Sequence, residues 1–179
     1  PEYKSIFLKF ISLYFYLFGL LTIFFSNRIS VLSEEYFFSN LIHNFFRKKV
    51  KIIHPFVENI PRIINNNYKF NNNRLNIGFL GRICEEKGLE NLIEASFILE
   101  KKGIKHLINI AGDIKDIRFI NYVKKIKKLT KNSRNINFIG KLNEIQKKAF
   151  FNSLDVFVLP SVNSFEAFGI VQLEAMVHG

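Results

Sequence analysis

The sequence predicts an α/β fold: a parallel, Rossmann-like sheet with helices on both faces. Three observations carry that prediction. From Leu75 onward, short apolar runs alternate with longer stretches whose apolar side chains recur at helical spacing. Strands separated by helices of about 10 to 15 residues imply βαβ units, and right-handed crossovers then build a parallel sheet. Each apolar run also ends in a residue that stops a strand: Gly81, Gly112, Gly140 or Pro160. Loops at the carboxyl ends of such strands are where ligands bind in this class of sheet.

Taken in order, the first stretch is Ile6 to Ser26, almost unbroken in apolar and aromatic residues. It predicts a helix that is buried or membrane-apposed, with a transmembrane span as the alternative, since about 20 apolar residues can cross a bilayer. Glu34 to Arg47 carries Phe37, Phe38, Leu41, Ile42, Phe45 and Phe46 at helical spacing, which predicts an amphipathic helix. Val50 to His54 is a strand closed by Pro55. Asparagine-rich sequence with Pro61 then lacks any apolar period and forms a linker. The expected division is a first domain over 1–58, a linker over 59–74 and a second domain over 75–179.

In the second domain the expected strands are Leu75–Leu80, His106–Ala111, Ile136–Ile139 and Val156–Leu159. The expected helices are Leu89–Lys101, Ile117–Thr130, Glu144–Ser153 and Phe168–Val177. Tyr122 to Leu129 places lysines on one helix face and Val123, Ile126 and Leu129 on another. That pattern is a solvated face, with contact to anionic lipid headgroups as the minority reading.

Composition narrows the function less than pattern does. The 179 residues can bury a substantial core, and the start at proline and stop at Gly179 suggest a fragment of a longer protein. Twenty-one phenylalanines beside abundant Ile, Asn and Lys fit drift toward AT-rich codons. The net charge of +11 favours anionic partners through long-range attraction. No zinc-finger, RNP-type or helix-turn-helix pattern accompanies it, so nucleic acid is not the expected partner. A single cysteine, Cys84, precludes an internal disulfide and suits a reducing compartment. The four histidines fall at no metal-ligand spacing, so neither metal nor cofactor is expected.

Two stretches carry chemistry. Gly81-Arg82-Ile83-Cys84-Glu85-Glu86-Lys87-Gly88 follows the first strand of the second domain; its glycines permit a tight loop, while Arg82 and Lys87 supply a guanidinium fork and an ammonium suited to a diphosphate. Asp155 to Gly179 reads as strand, polar loop and helix, and the helix start at Phe168, Gly169 and Ile170 offers unpaired N–H groups to an anion. Gly169 leaves room for a ligand against the backbone. Glu166 and Glu174 are eight residues apart, roughly 12 Å along a continuous helix axis. A glycosidase carboxylate pair stands about 5 to 9.5 Å apart, so these two do separate work.

Pro160-Ser161, Glu166, Phe168-Gly169, Glu174, Ala175-Met176 and Gly179 resemble the most diagnostic motif of retaining glycosyltransferases of family 4, of GT-B architecture. Gly81-Arg82 and Lys87-Gly88 resemble the phosphate loop of that family, and the resemblance runs from about Asn27 to Gly179. It implies the last part of an acceptor domain followed by a truncated nucleotide-sugar domain. By the same resemblance Glu166 faces the transferred sugar as the catalytic residue, Glu174 binds the donor ribose, and Arg82, Lys87, Phe168, Gly169 and Ile170 bind the donor diphosphate. Gly112-Asp113 and Gly140-Lys141 resemble family positions near the nucleotide, but Ile114 stands where the family often has glycine. The implied partners are a UDP- or GDP-linked sugar and a carbohydrate or lipid-linked acceptor, at a cytoplasmic location that includes peripheral contact with the inner membrane face. The acceptor half's glycine-rich loop and catalytic histidine are absent from this sequence, so the 179 residues alone are expected to be inactive. The rival readings are a nucleotide-sugar hydrolase or epimerase of the same architecture, and a non-catalytic nucleotide-sugar or basic nucleic-acid-binding module.

Overall fold

The computed structural model describes residues 2–34, 37, 41–56, 73–162 and 169–178. The chain divides into two compact units, Pro1–Pro55 and Phe56–Gly179.

In the first unit, α1 spans Glu2–Phe25 and is followed by β1, Ile29–Val31, and β2, Val50–Ile52. The two strands pair in parallel, with Ile29 opposite Val50, and Ile53 N extends the ladder by donating to Val31 O at 2.9 Å. Large side chains along α1, among them Phe10, Leu13, Phe15, Phe18 and Leu21, are exposed. Among the residues whose side chains are described, 9–25 in this helix, no helical run is long and apolar enough to cross a membrane.

The α-helix expected over Glu34–Arg47 forms in part: Glu34 and Phe37 are α-helical, whereas Leu41–Lys49 is a 3-10 helix, and the rest of the expected range lies outside the described residues. A 3-10 turn rises about 2.0 Å per residue against 1.5 Å for the α form, so the same residues reach farther. Contacts at both ends favour that stretch. His43 stacks on Phe37 with ring centroids 4.5 Å apart and bonds its carbonyl through Nδ1. At the other end Lys49 Nζ donates to Phe24 O at 2.6 Å, satisfying a carbonyl at the end of α1 beside the Phe24 and Phe46 rings.

The second unit contains β3 (Leu75–Leu80), α2 (Leu89–Lys101), β4 (His106–Ala111), α3 (Ile120–Leu129), β5 (Ile136–Gly140), α4 (Glu144–Asn152), β6 (Val156–Phe157) and α5 (Ile170–His178). The sheet order is β5-β4-β3-β6, with every pairing parallel. Period-two alternation sorts the side chains. Ile77, Phe79, Ile108 and Ile110 pack on one face with Leu92 and Ile93 of α2 and Val123 and Ile126 of α3. Ala111, Leu80 and Phe157 pack on the other with Phe150 and Phe151 of α4 and Val171 and Ala175 of α5. Helices therefore cover both faces, as the alternating pattern predicts.

In this unit three boundaries differ from expectation by more than one residue. Ile117–Phe119 is a one-turn 3-10 helix ahead of α3, started by Asp116, whose Oδ1 accepts from Arg118 N at 3.0 Å. The strand ladder at β6 stops at Phe157 rather than Leu159, after which Val158 N makes one further bond to Gly78 O at 2.8 Å. Pro160 has no N–H to continue it. Helix α5 begins at Ile170 and not at Phe168, because Gly169 adopts φ +66, outside the right-handed helical region.

Candidate functional site

The strand order reverses between β3 and β6. A doubly wound sheet opens a crevice at such a reversal, outside the carboxyl ends of the two diverging strands. Both chemistry-bearing stretches of the sequence leave from those ends: Gly81–Gly88 from β3, and Pro160 through Gly169 from β6.

The two loops are joined through backbone. Val162 N donates to Glu86 O at 3.1 Å. Gly88, with φ +59, passes so close that a Cβ there would stand 2.3 Å from Pro160 O. The Gly88 carbonyl accepts from Asn91 N at 3.0 Å and so closes the first turn of α2. The phosphate-type loop thus ends in a helix N-terminus whose first N–H groups lack intrahelical partners. Behind it, Gly81 N donates to Ala111 O and Gly112 N to Gly140 O, which aligns the loops that follow β3, β4 and β5.

Arg82 stands half exposed on this loop, with Nη2 3.6 Å from Glu86 Oε2 and its guanidinium 6.0 Å from the centre of the Phe119 ring. Lys87 lies in the one-turn 3-10 helix Glu85–Lys87, where its N donates to Cys84 O at 3.0 Å. Cys84 is buried beneath the loop; burial pushes its thiol pKa up, against the opposing pull of Arg82. Such a thiol is a packing residue rather than a nucleophile.

On the β6 side, Gly169 is buried and precedes α5. A Cβ added there would meet Leu159 Cδ2 at 3.0 Å, and the Gly169 carbonyl accepts from Gln172 N at 2.8 Å. Ile170 is exposed at the helix start. Glu166 and Phe168 lie outside the described residues. Glu174, one turn into α5, is paired: its Oε1 accepts from Lys147 Nζ of α4 at 2.8 Å, with both side chains about three-quarters buried.

Sequence spacing does not single out Lys147, Phe119 or the Glu86 carbonyl. Lys147 is 27 residues from Glu174, and no spacing pattern in the sequence links the two. Asp113 and Lys141 are exposed at the ends of β4 and β5. The lysine face of α3 is exposed, with Lys125 Nζ bonded to Glu90 Oε1 at 2.9 Å. Among the described residues no three His, Cys, Asp or Glu side chains stand together as metal ligands would.

The doubly wound sheet is that of the GT-B glycosyltransferases. Solved structures superpose on most of the chain: a glycosyltransferase from Rickettsia africae with a TM-score of 0.69, 20% identity and coverage of 85% of this chain and 42% of that one. HepE from Anabaena, solved with UDP and glucose, gives a TM-score of 0.66 at 18% identity over 88% of this chain and 44% of that one. An uncharacterized glycosyltransferase of Methanocaldococcus jannaschii is 37% identical over 102 residues, which is 56% of this chain and 24% of that protein. The model of the family described as Glycosyl transferases group 1 matches residues 61–179, and the chain belongs to that family. It spans about a quarter of the curated relative's length and less than half of these solved chains.

Proposed function

We propose that the chain is the nucleotide-sugar half of a retaining glycosyltransferase of family 4, preceded by the last part of its acceptor half, with residues 59–74 linking the two. One observation carries the reading: the strand reversal between β3 and β6 sets the Arg82–Lys87 loop against the loop that leads to Gly169 and α5. Similarity to structures solved with UDP supports a nucleotide donor.

In this reading the donor diphosphate lies between Arg82, Lys87 and the start of α5 at Gly169 and Ile170, with Phe168 beside them. When the sugar–phosphate bond breaks, negative charge develops on the departing diphosphate. Fixed cations and aligned N–H groups stabilise that charge without reorganising at the moment of reaction. They supply the electrostatic work, so the reading requires neither a metal nor another cofactor. Glu174 holds the ribose, and Glu166 faces the sugar where positive charge grows. The acceptor is a carbohydrate or a lipid-linked glycan; the exposed apolar side chains of α1 and the lysines of α3 support peripheral contact with the cytoplasmic face of a membrane.

Titration of the protein with UDP, GDP and a short DNA duplex at physiological salt tests the reading. Saturable binding of a nucleoside diphosphate, tighter than binding of the duplex, is the expected result. Binding of the duplex alone overturns it in favour of a basic nucleic-acid module.

A further inference from the structure

Lys147 occupies a place that general surface electrostatics does not require. A capping box fixes the start of α4: Gln146 N donates to Asn143 Oδ1 at 2.9 Å, and Asn143 N donates to Gln146 Oε1 at 3.0 Å. The next residue is Lys147, whose own N donates to Asn143 O at 2.8 Å. From this first turn its ammonium reaches Glu174 Oε1 at 2.8 Å and Glu144 Oε2 at 3.1 Å. One turn farther along both helices, Phe151 stacks on His178 with centroids 5.5 Å apart, and His178 Nδ1 lies 3.1 Å from Asn152 Oδ1. Helices α4 and α5 are therefore joined by two rungs, and the rung nearer the site contains Glu174.

The contact is one-sided on the carboxylate. Lys147 engages Oε1, and among the described residues Oε2 has no hydrogen-bond partner. An ammonium is a point charge that takes one oxygen, whereas a guanidinium fork takes both oxygens of a carboxylate. We propose that Lys147 is a positioning residue: it anchors Glu174 through Oε1 and leaves Oε2 to accept hydrogen bonds from the vicinal hydroxyls of the donor's ribose. The inference rests on the proposed reading that Glu174 binds ribose. The lysine remains charged to do this, since hydrogen bonds to Glu174 and Glu144 outweigh burial and raise its pKa. A carboxylate already held in one orientation loses less rotational freedom when the ribose arrives.

The test compares UDP with 2′,3′-dideoxy-UDP, which lacks both hydroxyls, by calorimetry on the native protein and on Lys147→Met, Glu174→Gln and Asn152→Ala. Melting curves accompany each titration. The native protein is expected to prefer UDP by about tenfold, the value of one good hydrogen bond to a charged group. Lys147→Met is expected to lower UDP affinity, leave dideoxy-UDP affinity unchanged, and so collapse the preference as Glu174→Gln does. Asn152→Ala, which loosens the far rung, is expected to keep it. The proposal fails if Lys147→Met retains the preference while Glu174→Gln loses it, a result that spares the ribose reading. It also fails if Lys147→Met weakens both ligands equally, or if Asn152→Ala collapses the preference too. Equal binding of the two ligands by the native protein removes the ribose reading and this inference together, and absence of nucleotide binding removes the proposed function as well.

Discussion

A Cβ at Gly88 would stand 2.3 Å from the carbonyl oxygen of Pro160, with the Gly88 backbone at φ +59. Two penalties follow from one atom, a disfavoured backbone conformation and a collision with a main-chain oxygen that cannot swing aside. Gly103 provides the comparison, since it has φ +70 but nothing within 4 Å of the place a methyl group would occupy. Gly103→Ala is expected to cost only the backbone part, about 1 kcal/mol, and Gly88→Ala about 1 to 3 kcal/mol more. Urea midpoints of both variants check this; equal losses would mean that the two loops are not held together through Pro160.

Arg82→Ala is expected to weaken UDP binding by about one to two decades, the worth of a charge-assisted hydrogen bond of roughly 1.5 to 3 kcal/mol. The side chain is half exposed, and its neighbours Glu86 and Phe119 lie in one-turn 3-10 helices outside the sheet, so the fold should persist. Calorimetry with UDP, paired with circular dichroism, reads both effects. Unchanged affinity with an unchanged spectrum would make Arg82 a surface cation only.

Glu174→Gln and Glu166→Gln are expected to act on different kinetic constants in the catalytically competent protein. A ribose hydroxyl is held alike in the ground and transition states, so Glu174→Gln should raise the donor KM severalfold with kcat little changed. Glu166→Gln should lower kcat by about a hundredfold, the scale of a lost electrostatic contact at a reacting centre. Steady-state kinetics at saturating acceptor separate the two. An equal rise in KM for both, with kcat untouched, would remove Glu166 from catalysis.

Glu90, in the first turn of α2, gives the second unit a pH-dependent contribution. Burial works to raise its pKa, but hydrogen bonds from Tyr122 and Lys125 outweigh it and hold the carboxyl below its usual 4.5. The folded state therefore binds its proton more weakly than the unfolded chain does. The contribution is complete above the unfolded-state value and is lost as pH falls through the lower folded value. The urea-midpoint difference between native protein and Glu90→Gln should be constant near neutrality and shrink below about pH 4.5. A difference that does not shrink as the pH falls below about 4.5 would contradict this assignment.

The boundaries of β3, β4 and α2 are legible in the sequence because buried parallel strands are continuous apolar runs and Gly88 marks a helix start. Leu41–Lys49 is not, because an apolar period close to 3.6 does not report the end contacts of His43 and Lys49 that select a 3-10 helix. The Arg82 loop is visible as a pattern of charge between glycines. Its join to Pro160 and Val162 is not, since backbone approach leaves no side-chain signature beyond the glycine itself. The Lys147–Glu174 pair is hidden for a related reason: residues on different helices meet through the register of two packed elements, and lysine is abundant along the whole chain.

A crystal structure of the protein with UDP decides where the donor binds. The diphosphate is expected at the carboxyl edge of the sheet, against Arg82, Lys87 and the Gly169–Ile170 start of α5, with the ribose hydroxyls at Glu174. The opposite edge holds a cationic recess, lined by Asn73, Arg74, Lys105, His106 and Asn135. A diphosphate bound there, with the Gly81–Gly88 loop left empty, would contradict that placement.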